Sequence, residues 1–118
     1  MKKIIIIILL TLTLFGCSSN TNGYRKIDSK EAIDLIENGA ILIDVRTEEE
    51  YNVSHIEGAI NIPNTMLEME LPKRYFDKNT TIIVYCRSGS RSKAAANLLY
   101  DMGYINVYDL GSMGNFNN

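Results

Sequence analysis

Apolar residues in this chain gather into short β-branched runs, separated by stretches with helical spacing. Ile82-Ile83-Val84-Tyr85 is continuous rather than alternating and predicts a strand buried on both faces. Ala40 to Val45, broken only by Asp44, and Ile105 to Leu110 predict two more strands. Tyr24 to Ile27 predicts a short edge strand and Ala59 to Ile62 another short one, entered by a tight turn at Gly58. Between these runs, Ala32, Ile33, Leu35 and Ile36 form a helical stripe that ends at Gly39. Asp28 with Glu31 supplies its capping box, and Thr47 with Glu50 opens a second short helix through Tyr51. Asn64 to Asp77 predicts a helix interrupted at Pro72, with Met66 and Met69 as core filler beside Leu67 and Leu71. Ser92 to Met102 predicts a helix that turns Ala95, Leu98, Leu99 and Met102 to the sheet and closes at Gly103. Alternating strands and helices argue for an α/β fold, a mainly parallel central sheet flanked by helices.

The first residues follow a different pattern. Met1-Lys2-Lys3 precedes a mainly apolar run from Ile4 to Phe15, interrupted only by Thr11 and Thr13, too short to span a bilayer but suited to the core of a secretion signal. It ends in Leu14-Phe15-Gly16-Cys17, which resembles the lipobox of bacterial lipoproteins. That resemblance implies cleavage before Cys17, lipidation of its thiol and an extracytoplasmic protein anchored to the cell membrane, since two or more acyl chains hold where one is marginal; the alternative is an ordinary signal peptide, cleaved conventionally, with an incidental cysteine. Ser18 to Gly23 is small and polar, a tether. The expected organisation is therefore a signal over 1–17, a tether over 18–23 and one domain over 24–118.

Charge narrows the function. The chain carries 12 Lys+Arg against 14 Asp+Glu, and losing the first 17 residues would leave a net charge of -4. No basic run is interleaved with aromatic residues, so nucleic acid is not an expected partner. The two cysteines, Cys17 and Cys86, allow one bridge at most. With Cys17 lipidated, Cys86 becomes a lone thiol outside the cytoplasm, where unpaired thiols are uncommon and suggest reactivity.

Cys86 stands where chemistry is expected. The strand ends at Cys86, Arg87-Ser88-Gly89-Ser90 turn, and Arg91-Ser92 lead into the alanine-rich helix. Peptide N–H groups at a helix start converge on one point, and glycine and serine let the backbone come close. A thiol there ionises more readily, from an ordinary pKa of about 8.5 towards roughly 3.5–7.5. Cys86 is the expected nucleophile.

Cys86-Arg87-Ser88-Gly89-Ser90-Arg91-Ser92 resembles the Cys-Arg-x-Gly-x-Arg-Ser/Thr active-site loop of the rhodanese-like sulfurtransferases. Asp44-Val45-Arg46 and His55-Ile56-Glu57-Gly58-Ala59-Ile60-Asn61-Ile62-Pro63 resemble two further motifs of that family, in the same order. The resemblance implies a small rhodanese-like domain that moves a sulfane sulfur from thiosulfate or a similar anionic donor to a thiol or cyanide, through a persulfide on Cys86. It implies that the amides of Arg87, Ser88, Gly89, Ser90 and Arg91 carry the persulfide's charge, with Arg91 adding positive charge near the sulfur and Arg87 pointing outward to guide the donor. Asp44 and Arg46 close a neighbouring strand, as wall of the site or as an ion-pair staple between loops. His55, the only histidine, is expected to be structural, because a low-pKa thiolate needs no base to activate it. No cofactor or metal is expected, as no His/Cys/Asp cluster has ligand spacing. Where the family continues Gly-Gly and then Trp, this chain has Gly111-Ser112 and then Phe116, which predicts one thinly covered sheet face.

Two other functions fit parts of this pattern. Cysteine phosphatases and arsenate reductases use a thiolate over a similar loop, longer by one residue to admit a tetrahedral oxyanion. The shorter loop here suits a single sulfur atom. A non-catalytic lipoprotein binding a thiol, a metal ion or a partner protein is the other alternative, disfavoured by the intact loop.

Overall fold

A computed structural model describes residues 23–117. The signal, the lipobox-like Cys17 and nearly all of the tether lie outside the described residues. The elements run β1 (Arg25–Lys26), α1 (Ser29–Glu37), β2 (Ile41–Asp44), α2 (Glu48–Val53), β3 (Ile60–Asn61), α3 (Leu67–Arg74), β4 (Thr81–Cys86), α4 (Ser90–Asp101) and β5 (Asn106–Ser112), then a 3-10 turn at Met113–Asn115. All five strands are parallel, in the order β1-β5-β4-β2-β3. The alternating elements of the sequence thus become one wound sheet with short strands at both edges.

Central β4 explains its own composition. Ile82, Ile83, Val84, Tyr85 and Cys86 are all fully buried, because helices cover both faces of a parallel sheet. Ile82, Val84 and Cys86 face α3 and α4, where they meet Leu67, Leu71, Ala95, Ala96 and Leu99. Ile83 and Tyr85 face α1 and the chain's end, where they meet Ala32, Ile56 and Leu110, with Phe116 packed against them. The expected thin cover on that face is not seen: Leu42, Ile83, Tyr85 and Leu110 are buried, and Phe116 with Met113 supplies part of the cover.

Both capping boxes form as expected. Asp28 accepts from Glu31 N–H and Thr47 from Glu50 N–H, while each glutamate reaches back to the cap's own amide. Four details differ from expectation. Helix α3 continues through Pro72 to Arg74, because the carbonyl that Pro72 cannot serve belongs to exposed Glu68, open to water, two residues before the helix ends. Its core side chains are Leu67 and Leu71, four residues apart on one face; Met66 and Met69 lie outside that face, and Met69 is 56% exposed rather than core filler. Helix α4 begins at Ser90, two residues earlier than expected, so the predicted loop is partly its first turn. Strand β5 runs two residues beyond Leu110, after a register shift that pairs Val84 with Asp109 but Tyr85 with Gly111.

Candidate active site

At the carboxyl edge of the sheet, Cys86 closes β4 and the chain turns into α4 within three residues. Gly89, the cap of α4, takes φ +106°, a left-handed conformation that side chains resist. This turn folds the loop back over the cysteine. Cys86 Sγ accepts hydrogen bonds from the N–H groups of Gly89 at 3.0 Å and Ser92 at 3.3 Å. Buried Ser92 fastens the turn by donating its hydroxyl to the Gly89 carbonyl, 3.1 Å away, which also accepts from Lys93 N–H. The amides of Ser88, Ser90 and Arg91 have no acceptor among the described residues. The sulfur is fully enclosed, but part of its enclosure is peptide N–H at the positive end of a 12-residue helix.

Arg91 does not extend freely over this loop. Its Nη1 and Nη2 donate to Oε1 and Oε2 of Glu50 at 2.7 and 3.0 Å, a bidentate pair. Thr47 donates to the same Oε1 through its amide at 3.0 Å and its hydroxyl at 3.1 Å. Glu50 is consequently held down to about 2, chiefly by Arg91. The pKa of Arg91 rises, first through its hydrogen bonds to Glu50. Sequence reasoning found Glu50 only as a helix cap. Its Thr47-x-x-Glu50 spacing was already explained, and nothing local marked a partner 41 residues away.

Asp44 and Arg46 form a complete ion pair. Arg46 donates from its backbone N, Nε and Nη2 to the Asp44 carboxylate, the last at 2.7 Å, and Nη2 also reaches the Ser54 carbonyl at 2.6 Å. Tyr85 donates its hydroxyl to Asp44 Oδ2 at 2.7 Å and accepts from Ile56 N–H at 3.0 Å. Burial, followed by Asp44, pushes the Tyr85 phenol up, which keeps that proton in place. Asn61 Nδ2 donates to the Asp44 and Arg46 carbonyls. The pair staples β2 to the α2–β3 loop, and Arg46 also lines a groove beside it.

That groove, about 450 Å³, is lined by Arg46, Glu50, Val53, Ser54, Arg87, Met113 and Gly114. Among the described residues Arg46 and Arg91 are each paired with a carboxylate, whereas exposed Arg87 has no ion-pair partner. Ser88 and Ser90 are also exposed. His55 stacks on Tyr51 with ring centroids 3.7 Å apart, and its Nδ1 meets the Tyr51 carbonyl at 2.9 Å. Among the described residues no three His, Cys, Asp or Glu side chains are placed to share a metal ion.

The sequence profile of the Rhodanese-like domain family matches residues 28–118, most of the chain. The chain belongs to the rhodanese-like domain family. Thiosulfate sulfurtransferase PspE of Escherichia coli is 41% identical over 71 residues, which cover 60% of this chain and 68% of the relative. Thiosulfate sulfurtransferase GlpE of Haemophilus influenzae is 32% identical over 88 residues, covering 74% and 81%. Among solved structures, a rhodanese with anions from E. coli aligns at TM-score 0.63 and 37% identity, covering 66% of this chain and 92% of that one. The human single-domain sulfurtransferase TSTD1 aligns at 0.65 and 28%, covering 77% and 90%. This rhodanese-like chain is a sulfurtransferase by that kinship, and a phosphatase or arsenate reductase is not favoured.

Proposed function

We propose that the protein takes a sulfane sulfur from thiosulfate onto Cys86 and passes it to a small thiol or to cyanide. The observation that carries this reading is the pair of amides on Cys86 Sγ, with the Ser88, Ser90 and Arg91 amides of the same loop lacking an acceptor among the described residues. In the first step the Cys86 thiolate attacks the outer sulfur of thiosulfate. A new S–S bond forms as the old one breaks, and sulfite leaves with the electron pair. The persulfide keeps one negative charge on its outer sulfur, where fixed N–H dipoles stabilise it as they would an oxyanion. In the second step an acceptor thiolate or cyanide attacks that outer sulfur, giving a new persulfide or thiocyanate and restoring the Cys86 thiolate.

The side chains divide the remaining work. Arg87, which has no ion-pair partner among the described residues, lines the groove and draws the anionic donor in; a structural neighbour from E. coli is a rhodanese solved with anions. Arg91, fixed by Glu50, holds positive charge near the sulfur. Mass spectrometry after thiosulfate treatment tests the reading. One sulfur atom should be gained on Cys86 and none in Cys86→Ser. No gain, with hydrolysis of an aryl phosphate instead, would overturn it.

The same proposal includes the anchor. The basic start, the apolar run and the polar tether support export and lipidation at Cys17, placing the domain outside the cytoplasm on the cell membrane. Metabolic labelling with an alkyne fatty acid should tag the protein and miss Cys17→Ala. Equal labelling of both would exclude Cys17 as the site.

A further inference from the structure

Strand β5 carries one more residue than its neighbour where it passes the active-site loop. Val84 pairs with Asp109, yet Tyr85 pairs with Gly111 and Cys86 with Ser112. The extra residue is a bulge with a complete set of supports. Asp109 Oδ1 accepts from Gly111 N–H at 2.8 Å, Asn115 Nδ2 donates to the Leu110 carbonyl at 3.0 Å, and Gly111 takes φ +85°. Bulges re-aim the residues that follow them. Here the result is that Ser112, not Gly111, lies opposite Cys86.

Ser112 Oγ donates to the Arg87 carbonyl at 2.8 Å and accepts from Gly114 N–H at 3.1 Å. Gly114 N–H can only donate, so the single hydroxyl proton is committed to Arg87. The peptide between Arg87 and Ser88 is planar and trans, which sets its N–H opposite its C=O. We propose that Ser112 is a positioning residue for sulfur transfer: by holding the Arg87 carbonyl outward on β5, its hydroxyl turns the Ser88 N–H inward as a donor to the sulfur bound at Cys86. This rests on the sulfurtransferase reading and adds to it the element that orients the loop. Gly89 is close enough to feel the same support, since a Cβ there would lie 3.9 Å from Gly111 Cα and Ser112 N. A glycine at position 112 would leave the carbonyl without this partner.

The test compares Ser112→Ala, Ser112→Gly and Ser112→Thr with the parent protein. The first readout is the pH midpoint of Cys86 alkylation by iodoacetamide, and the second is the lifetime of the Cys86 persulfide after thiosulfate loading. Removal of one donor of this kind costs about 100-fold or more when it is direct, so loss of its orientation should shorten persulfide lifetime by roughly ten-fold. In Ser112→Ala and Ser112→Gly the alkylation midpoint should rise, because the loosened Arg87–Ser88 peptide leads directly into the Gly89 N–H that donates to Cys86 Sγ. Ser112→Thr keeps a hydroxyl in an extended strand and should restore both values. Unchanged midpoint and lifetime with only a lower melting temperature would make Ser112 a plain staple and overturn the proposal, as would equal defects in the Thr and Ala variants. The alkylation midpoint needs no sulfur donor. A parent protein that loads no sulfur would therefore sink the sulfurtransferase reading while still deciding the role of Ser112.

Discussion

Glu50 and Arg91 stand 41 residues apart and meet through two hydrogen bonds of 2.7 and 3.0 Å, while the same carboxylate caps α2. The pair thus joins a helix cap to the first turn of the catalytic helix.

A pH dependence follows from the sign of the Glu50 shift. Its pKa falls from 4.5 to about 2, so the folded state binds this proton more weakly than the unfolded chain. The stabilisation is complete above the ordinary value, declines as pH drops below it and is gone once pH passes through about 2. Glu50→Gln removes the titrating group. Between about pH 4.5 and 2 the urea midpoint of the parent should therefore fall more steeply than that of the variant. Parallel curves would mean that the pair does not persist in solution.

Arg87 gives a second prediction, one that separates guidance from chemistry. Of the three arginines near the loop, it alone among the described residues has no carboxylate partner. Reversing its charge with Arg87→Glu should raise KM for thiosulfate by about ten-fold at low salt, with a much smaller change in kcat. Added salt should narrow the difference between parent and variant, since exposed charges are screened. A fall in kcat at constant KM would place Arg87 in the chemical step instead.

A third prediction concerns the buried polar group on the opposite side of β4. Tyr85→Phe removes the donor to Asp44 Oδ2 and the acceptor for Ile56 N–H. Leaving the buried amide unsatisfied should cost about 1–3 kcal/mol in urea unfolding. Because Tyr85 and Cys86 point to opposite faces, the alkylation midpoint of Cys86 should stay near that of the parent. Loss of activity without loss of stability would contradict this division.

Much of this architecture was legible from the residues because local chemistry and tertiary environment agree. The run Ile82 to Tyr85 can only be a core strand, and Asp28/Glu31 and Thr47/Glu50 cap helices by short-range bonds that spacing alone reveals. The position of Cys86 at a strand end before a helix placed it beneath amides. What could not be read was anything fixed by pairing between distant segments. Glu50 looked fully used as a cap, and Ser112 looked like an irregular glycine, until the bulge in β5 set it opposite Cys86. Pro72 misled for the reverse reason, since its helix penalty falls where water can absorb it.

Gly89 provides the sharpest test of backbone geometry at the site. Its φ of +106° is outside the range that an L-residue adopts comfortably, yet a Cβ would find no neighbour nearer than 3.9 Å. Gly89→Ala therefore brings strain without a clash, about 1–2 kcal/mol by the usual cost of left-handed backbone. The loop can relieve that strain only by rotating the 88–89 or 89–90 peptide, and the first of these carries the N–H that lies 3.0 Å from Cys86 Sγ. The variant should fold, lose roughly ten-fold or more in sulfur loading, and raise the alkylation midpoint of Cys86. Full loading at an unchanged midpoint would show that the sulfur does not depend on this amide, and the thiolate would have to owe its stability to Ser92 and the helix end.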